Sequence, residues 1–448
     1  MTKTSLPRAP LSRVLRRPPG FKVLPPVPDQ PSNSLLPSQI RHGMRMSIGD
    51  GVFAQIYISI TAGSFVTALA LFMGASDFVL GLISSMPVLA QLVQLPAAWM
   101  VERRGDRRPI TVWSSLGRMF WLIPVLLLFV PMDSTARLGI ALLAMALAFG
   151  LLAISTNAWL SWMSDLIPPS LRGRFFSLRS TVLAIIGLGV SYVGGTVLDT
   201  ARKAGHAEWG FLGLFTVACA AGLVSTYFVS RQPEPPFARA AGGTSFRKLV
   251  QAPWRDRSFR AFIFTMTVWS IGVNIASPFY SAQALKNLHV SYQQLATLDM
   301  TTIAVTLLTQ QFWGRWADRV GHRRTLMISM IGASPLALMW LIATPSSIWL
   351  IYLNNVLSGI FWPGVNLSLS NRLMERAPAA GRAGYLALYS AITGGLAFLA
   401  SMFGGVIAGG LDGRQFEFGP LIMNNYQVLF LMAGVIRISV ALLRSPRV

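Results

Sequence analysis

The chain has one cysteine, Cys219, and four histidines in 448 residues. A single cysteine cannot close an intramolecular disulfide. The histidines are scattered and no Cys/His/carboxylate spacing suits a metal. Nothing in the sequence points to a catalytic residue, a cofactor or an enzyme. Charge is scarce as well: charged residues make up 12% of the chain, about half the ~25% of soluble domains. A soluble fold of this length would need a charged surface that this chain lacks. Acids are scarcest, 16 against 38 basic residues. No G-x-x-x-x-G-K-[ST] loop occurs, which argues against an ATP-driven machine.

What is present is apolar: 53% of positions, gathered into long runs such as 78–100, 138–154 and 211–229. A spanning helix needs roughly 20 mostly apolar residues. Twelve such segments can be placed, at 48–72, 77–101, 110–130, 138–163, 175–198 and 209–230, then 260–285, 292–313, 325–344, 347–371, 384–410 and 424–443. A transmembrane barrel is excluded, because its segments would be ~10 residues of alternating character. The fold class is therefore all-α, a polytopic membrane protein of twelve transmembrane helices.

The net charge of +22 would suggest nucleic acid in a soluble protein, but its placement says otherwise. Of 38 Lys and Arg, 31 fall in the two tails and in alternate loops with their adjoining helix ends. Arg137, Arg202, Lys203, Lys286 and Arg414 lie on the other side, and Arg118 and Arg437 lie within spans. This is the positive-inside asymmetry, and it places both termini in the cytoplasm of a multi-pass protein of the cytoplasmic (inner) membrane. The basic stretches face anionic headgroups, so the bilayer is the partner and nucleic acid is not. Residues 1–46, with nine prolines and eight basic residues, read as a disordered cytoplasmic tail.

The phrase Gly314-Arg-Trp-Ala-Asp318-Arg319-Val-Gly321-His-Arg323-Arg324 joins two apolar segments. A copy 216 residues upstream reads Ala98-Trp-Met-Val-Glu102-Arg103-Arg-Gly105-Asp-Arg107-Arg108. A second pair, offset by 210, sets Asp165, Pro168, Arg172 and Phe175 against Glu375, Pro378, Arg382 and Tyr385. A third sets Ser191, Gly194 and Gly195 against Ser401, Gly404 and Gly405, again 210 apart. Nearly equal offsets argue for a six-plus-six duplication, with halves at 47–230 and 259–448 and a Pro/Gly/Arg-rich cytoplasmic linker at 231–258.

The charged loop resembles the signature of the major facilitator superfamily, G-x-x-x-D-R-x-G-R-R-R in outline, and the resemblance spans about 48 to 443. It implies a secondary active transporter built from parallel halves that rock about a midplane site. It also implies a gating role for the loop acids, which clamp the second helix of each half against the other half at the cytoplasmic face. Carried over, Glu102 would face the start of span eleven near Gly384, and Asp318 the start of span five near Arg174. Arg103, Gly105, Arg107, Arg108, Gly314, Arg319, Gly321, Arg323 and Arg324 complete the two loops. Asp165, Arg172, Glu375 and Arg382 form the second pair of gating candidates. The first copy departs from the pattern at Ala98 and Asp106. The antiporter subgroup's Gly-Pro in span five is Val190-Ser191 here, and its arginine in span four is missing.

Two acids within spans are proton-coupling candidates. Ser291-Tyr-Gln-Gln294 has the form of a capping box, which would set Asp299 about 12 Å into the membrane at 1.5 Å per residue. Burial there favours the neutral acid, so a proton could bind and leave during a cycle. A later helix start or a plain interhelical hydrogen bond are the alternatives. Asp50 follows its own capping-box pattern, Ser47-Ile-Gly-Asp50, and reads first as a first-turn acid on a helix dipole. Polar residues Gln55, Gln91, Gln94, Asn157, Asn274, Gln310, Asn354, Asn355 and Asn366 fall on spans that line the cavity in the family. Trp159, Trp162, Trp269, Trp313 and Trp362 could enclose an organic solute. An amide-rich, nearly uncharged cavity argues against phosphorylated substrates. The expected function is movement of a small organic solute by alternating access, driven in this reading by protons, in a monomer. A lipid or lipid-precursor translocase and a non-transporting receptor or assembly factor are the other classes.

Overall fold

In the computed structural model the described residues are 35–93, 96–97, 100–101, 106–235, 254–376, 382–418 and 421–443. Their helices group into twelve segments. In the first half, span one is Pro37–Ile60 bent into Ser64–Phe72, and span two is Asp77–Ala90 with the 3-10 turn Gln91–Val93. Span three is Arg107–Phe129, span four Ser134–Leu166, span five Pro169–Lys203 and span six Ala207–Ser230. In the second half, span seven is Arg257–Asn274 with Phe279–Lys286, span eight Tyr292–Val320 and span nine His322–Leu341. Span ten is Trp349–Arg376, span eleven Arg382–Gly410 and span twelve Asn425–Leu443. A short hairpin, Phe416–Phe418 with Leu421–Met423, joins the last two.

Eight of these helices are long and apolar enough to cross a membrane, and nine if the bent first pair counts as one span. Spans eight and ten are not among them, although both are long. Span eight carries Thr297, Thr301, Thr302, Thr306, Thr309, Gln310 and Gln311. These side chains can satisfy themselves inside a bundle: Thr297, Thr301 and Thr309 each donate to a carbonyl one turn back.

Span one corrects the expected tail boundary. It begins at Pro37, ten residues before the predicted start at 47, so 37–46 is helix and not disordered tail. Pro37 at the first helical position and the Gln39 side chain accepting from Leu36 N at 2.9 Å start it. Ile40 and Met44 then bury against Trp162, Leu166 and Phe175. Arg41, His42 and Arg45 on its exposed side hide this apolar stripe in a composition count.

The duplication is visible in the elements themselves. The first helix of each half breaks once, at 61–63 and at 275–278, and the third helix of each half runs into 3-10 geometry. The glycine pairs behave alike. A Cβ on Gly194 would meet Phe65 of its own half's first helix, and one on Gly404 would meet Ile275 O and Phe279 of its own. Gly195 and Gly405 face the opposite half instead. A Cβ at Gly195 would stand 2.9 Å from Tyr292 O on span eight, and one at Gly405 2.8 Å from Asp77 O on span two. Gly81 completes the second seam, where a Cβ would come 2.5 Å from Ser401 O.

These contacts lie at one end of the bundle, the far face. Both described termini and the start of the linker lie at the other, the terminal face, where Gly43 stands against Pro233. Gly405→Val forces backbone apart at the seam and should cost about 1–3 kcal/mol, read as a lower Tm of the purified protein. Gly409→Ala, which meets nothing within 4 Å, should leave Tm unchanged or slightly raised. Equal effects would show that the seam bears no special load.

Candidate functional site

Each seam is sealed by an acid of the first half. Asp199, at the end of span five, accepts from Tyr292 N at 2.9 Å and Gln293 N at 2.8 Å. These are two of the free amides that begin span eight, where the helix dipole is positive. Asp77, at the start of span two, accepts from Lys286 Nζ at 3.1 Å, Tyr426 Oη at 2.5 Å and Asn425 Nδ2 at 3.1 Å. Asn425 also donates to Ala408 O, tying span twelve to span eleven. Both acids are buried. Among the described residues, the hydrogen bonds and ion pairs that join the halves all lie on this side of the bundle.

Just inside the seal, Ser64 of span one donates to Asp299 of span eight. Span eight starts with the predicted capping box, Ser291 Oγ accepting from Gln294 N at 3.1 Å and Gln294 Oε1 accepting from Ser291 N at 3.0 Å. Asp299 is therefore seven residues into the helix, about 10 Å, and the late-start alternative does not hold. Its partner belongs to the opposite half, so the carboxylate points inward, yet it is exposed. Thr306 and Gln310 follow on the same helical stripe, and Gln310 is also exposed.

The first half holds a second charged cluster. Arg118 Nη1 donates to Ser225 Oγ at 2.6 Å and Gly222 O at 3.0 Å. Ser225 in turn donates to Asp50 Oδ1 at 2.6 Å, and Arg179 Nη2 lies 3.6 Å from Asp50 Oδ2. Arg179 also donates from Nε to Ser47 O at 3.1 Å and covers the Trp159 ring at 4.6 Å. Asp50 is thus in the fourth turn of a helix that begins at Pro37, which overturns its reading as a first-turn capping acid. A lone ion inside a span costs ~2.5–3.5 kcal/mol or more, and the Asp50–Arg179 pair at 3.6 Å offsets part of that cost. Arg437 has no carboxylate partner among the described residues. It donates to Ala333 O and lies over Trp269 and Trp362 at 5.5 and 5.6 Å.

The loop candidates divide. Glu102, Arg103, Gly105 and Gln94 lie outside the described residues, as do the side chains of Gln91, Arg172 and Arg382. Arg107 is fully buried, bonded to Asp165, to Ser161 O at 3.1 Å and to Pro235 O at 3.0 Å. Glu234 of the linker accepts from Arg107 N at 2.6 Å, at the start of span three. These two predicted gate residues therefore bind the first half to its own linker. Arg108 is exposed, its backbone N 3.3 Å from Glu234. In the second loop Gly321 has φ 86°, the left-handed turn that favours glycine. Gly314 has open space around it, so no close approach demands glycine there. Asp318 is exposed with no hydrogen bond or ion pair to another described residue; Arg319, Arg323 and Arg324 are exposed too. Glu375 pairs with Arg372 at 2.7 Å.

Of the cavity candidates, Gln55 donates to Ser59 Oγ at 3.1 Å beside Gly187, and Asn355 accepts from Thr302 at 2.7 Å. Asn274 donates to Ser270 O at 2.8 Å. Asn157 is half-buried, without a hydrogen bond to a described residue. Asn354 turns away to Leu336 O, and Trp162 and Trp313 donate to carbonyls at Pro233 and Ile360, so these three are packing groups. Trp362 is engaged by Arg437 inside the second half.

The sequence profile of the Major Facilitator Superfamily matches residues 51–286 and 270–446. The chain belongs to that superfamily. Superfamily neighbours share its fold: the nucleoside transporter NupG (14% identity, TM-score 0.64, 91% of this chain and 98% of that one) and a D-xylose-proton symporter (15%, 0.65, 90% and 97%). A POT family transporter in complex with 5-aminolevulinic acid is similar too (12%, 0.66, 91% and 98%). The class E tetracycline resistance protein of Escherichia coli is 32% identical over 102 residues, 22% of this chain and 23% of its own length. The fold is the twelve-helix fold of these transporters, in a multi-pass membrane protein.

Asp77, Asp199, Lys286 and Arg179 escape the sequence reading. Asp199 falls just past the expected end of span five at 198, and only the longer helix Pro169–Lys203 brings it inside the span. Asp77 looks like any first-turn acid, and Arg179 counts with the loop cations until span five is seen to start at Pro169. Because Asp77 serves three donors, Asp77→Ala should lower Tm more than Lys286→Met. The double variant should lose less than the two single losses added together. Strict additivity would remove the latch from the account.

Proposed function

We propose that the protein is a secondary active transporter, not an enzyme, that moves a small organic solute across the cytoplasmic membrane by alternating access. The observation that carries this is the Ser64–Asp299 hydrogen bond. It sets a carboxylate on the boundary between the halves, just inside the face where Asp199 and Asp77 join them. An ionised Asp299 accepts from Ser64 and favours the halves drawn together there; a proton on Asp299 removes part of that attraction. Proton binding thereby biases which face is open. The named neighbours, a nucleoside transporter and a D-xylose-proton symporter, support a polar solute. The amide- and hydroxyl-bearing inward stripe of span eight favours a solute over a lipid chain.

Asp318 and its counterpart Glu102 act at the cytoplasmic face, where they engage the opposite half when that face closes. The exposed, unpaired Asp318 is what a state open on that side requires. Asp50, held by Arg179 and Ser225, is the second coupling candidate. The twin halves at 47–230 and 259–448 are the rocking bodies, each protein working as a monomer with both termini in the cytoplasm. Uptake into proteoliposomes from a panel of nucleosides, sugars and short peptides identifies the solute. With that solute, Asp299→Asn should abolish accumulation driven by a pH gradient while exchange continues. Normal pH-driven accumulation by the variant would end the coupling role.

A further inference from the structure

Spans seven and eleven enclose a groove that the transport reading does not use. Its cavity of 570 Å³ has Trp254, Arg257 and Arg260 at the terminal-face end, and beyond them almost only apolar side chains. Arg257, Arg260, Phe264, Val268 and Ile271 follow one another on a single face of span seven. Arg257 to Ile271 is about 21 Å at 1.5 Å per residue, and half of a bilayer's hydrocarbon is roughly 15 Å. A second cavity of 420 Å³ shares Ile271 and Leu396 with the first and prolongs it towards Phe403. The walls are open to their surroundings: Phe264 is 53% exposed and Phe403 59%. The two arginines are exposed and have no ion-pair partner among the described residues. The neighbouring acid, Asp256, is occupied in capping Phe259 N at 3.0 Å.

We propose that this groove binds an anionic phospholipid, its phosphate on Arg257 and Arg260 and one acyl chain along spans seven and eleven. Charge and shape name this occupant together. Two unpaired guanidiniums at headgroup depth take a phosphate, and Trp254 suits the interface beside them. A wall with Thr267 as its one uncharged polar side chain takes a hydrocarbon chain and little else. A free anion would fill only the mouth.

Native mass spectrometry of the full-length protein, titrated with dioleoylphosphatidylglycerol or dioleoylphosphatidylcholine, tests this. The anionic lipid should bind roughly tenfold or more tightly, since each basic residue near an anionic headgroup favours it by a similar small increment. Arg257→Ala with Arg260→Ala should bring the two lipids level. Arg41→Ala with Arg45→Ala removes as many exposed cations from span one on the same face and should leave the preference intact. Leu396→Trp narrows the shared part of the groove and should weaken both lipids, and inorganic phosphate alone should not bind detectably. Equal binding of the two lipids to the unaltered protein, or a preference that survives loss of Arg257 and Arg260, would overturn the proposal. So would an equal loss of preference in the span-one variant, or tight binding of inorganic phosphate.

Discussion

Two backbone-to-backbone contacts at the far face constrain everything else in this fold. Gly195 lies on the first turn of span eight and Gly405 on the first turn of span two, closer than any side chain allows. In lipid there is no hydrophobic force to hold helices together, so close packing of small residues must do it. Under the transport reading we propose, helices pinned this tightly at one end separate at the other. The acids finish the seal in chemically different ways. Asp199 meets a helix terminus through two amides, whereas Asp77 meets a cation, a phenol and an amide. Both are attachments between groups that can be solvated once parted, which is what a reversible closure needs.

The buried charges are unequally shared between the halves. The first half keeps Arg118 and Arg179 around Asp50, relayed through Ser225. The second half keeps Arg437 on a carbonyl and two indole faces. In both halves the arginine nonetheless ties the third helix to the sixth. Arg118 on a third helix bonds a carbonyl of the sixth, and Arg437 on a sixth helix bonds a carbonyl of the third. Cation–π contact of this kind contributes ~0.5–2 kcal/mol each, so the two rings around Arg437 offset much of a missing carboxylate. Asp299 stands apart from both clusters. Its partner is a serine of the other half, a neutral group that can release it.

Much of this is legible in the sequence alone. The double glycines, the loop pair and their offsets announce the repeat, and the seams fall on those glycines. The capping box at Ser291 starts span eight where the pattern places it, which sets Asp299 seven residues along that helix. Legibility failed where a pattern had two physical readings. Ser47 to Asp50 looks like a helix start but lies mid-helix, because Ile40 and Met44 extend the buried stripe upstream. The partners that Asp165 and Arg107 find, each other and Pro235, are likewise not marked by the loop pattern. Cross-half partners such as Asp77 and Lys286, 209 residues apart, leave no mark in local sequence, since only the assembled fold brings them together.

The central claim is that the far-face seal and an open terminal face are two ends of one motion. Spin-label distances in a bilayer test it directly, with one pair at Lys203→Cys and Arg414→Cys on the far face and another at Arg231→Cys and Arg319→Cys on the terminal face; all four native residues are exposed. Each pair should show a short and a long population. Lowering the pH should move their weights in opposite senses, the far face lengthening as the terminal face shortens. A single unchanging distance at both faces, or two faces that open together, would contradict the account.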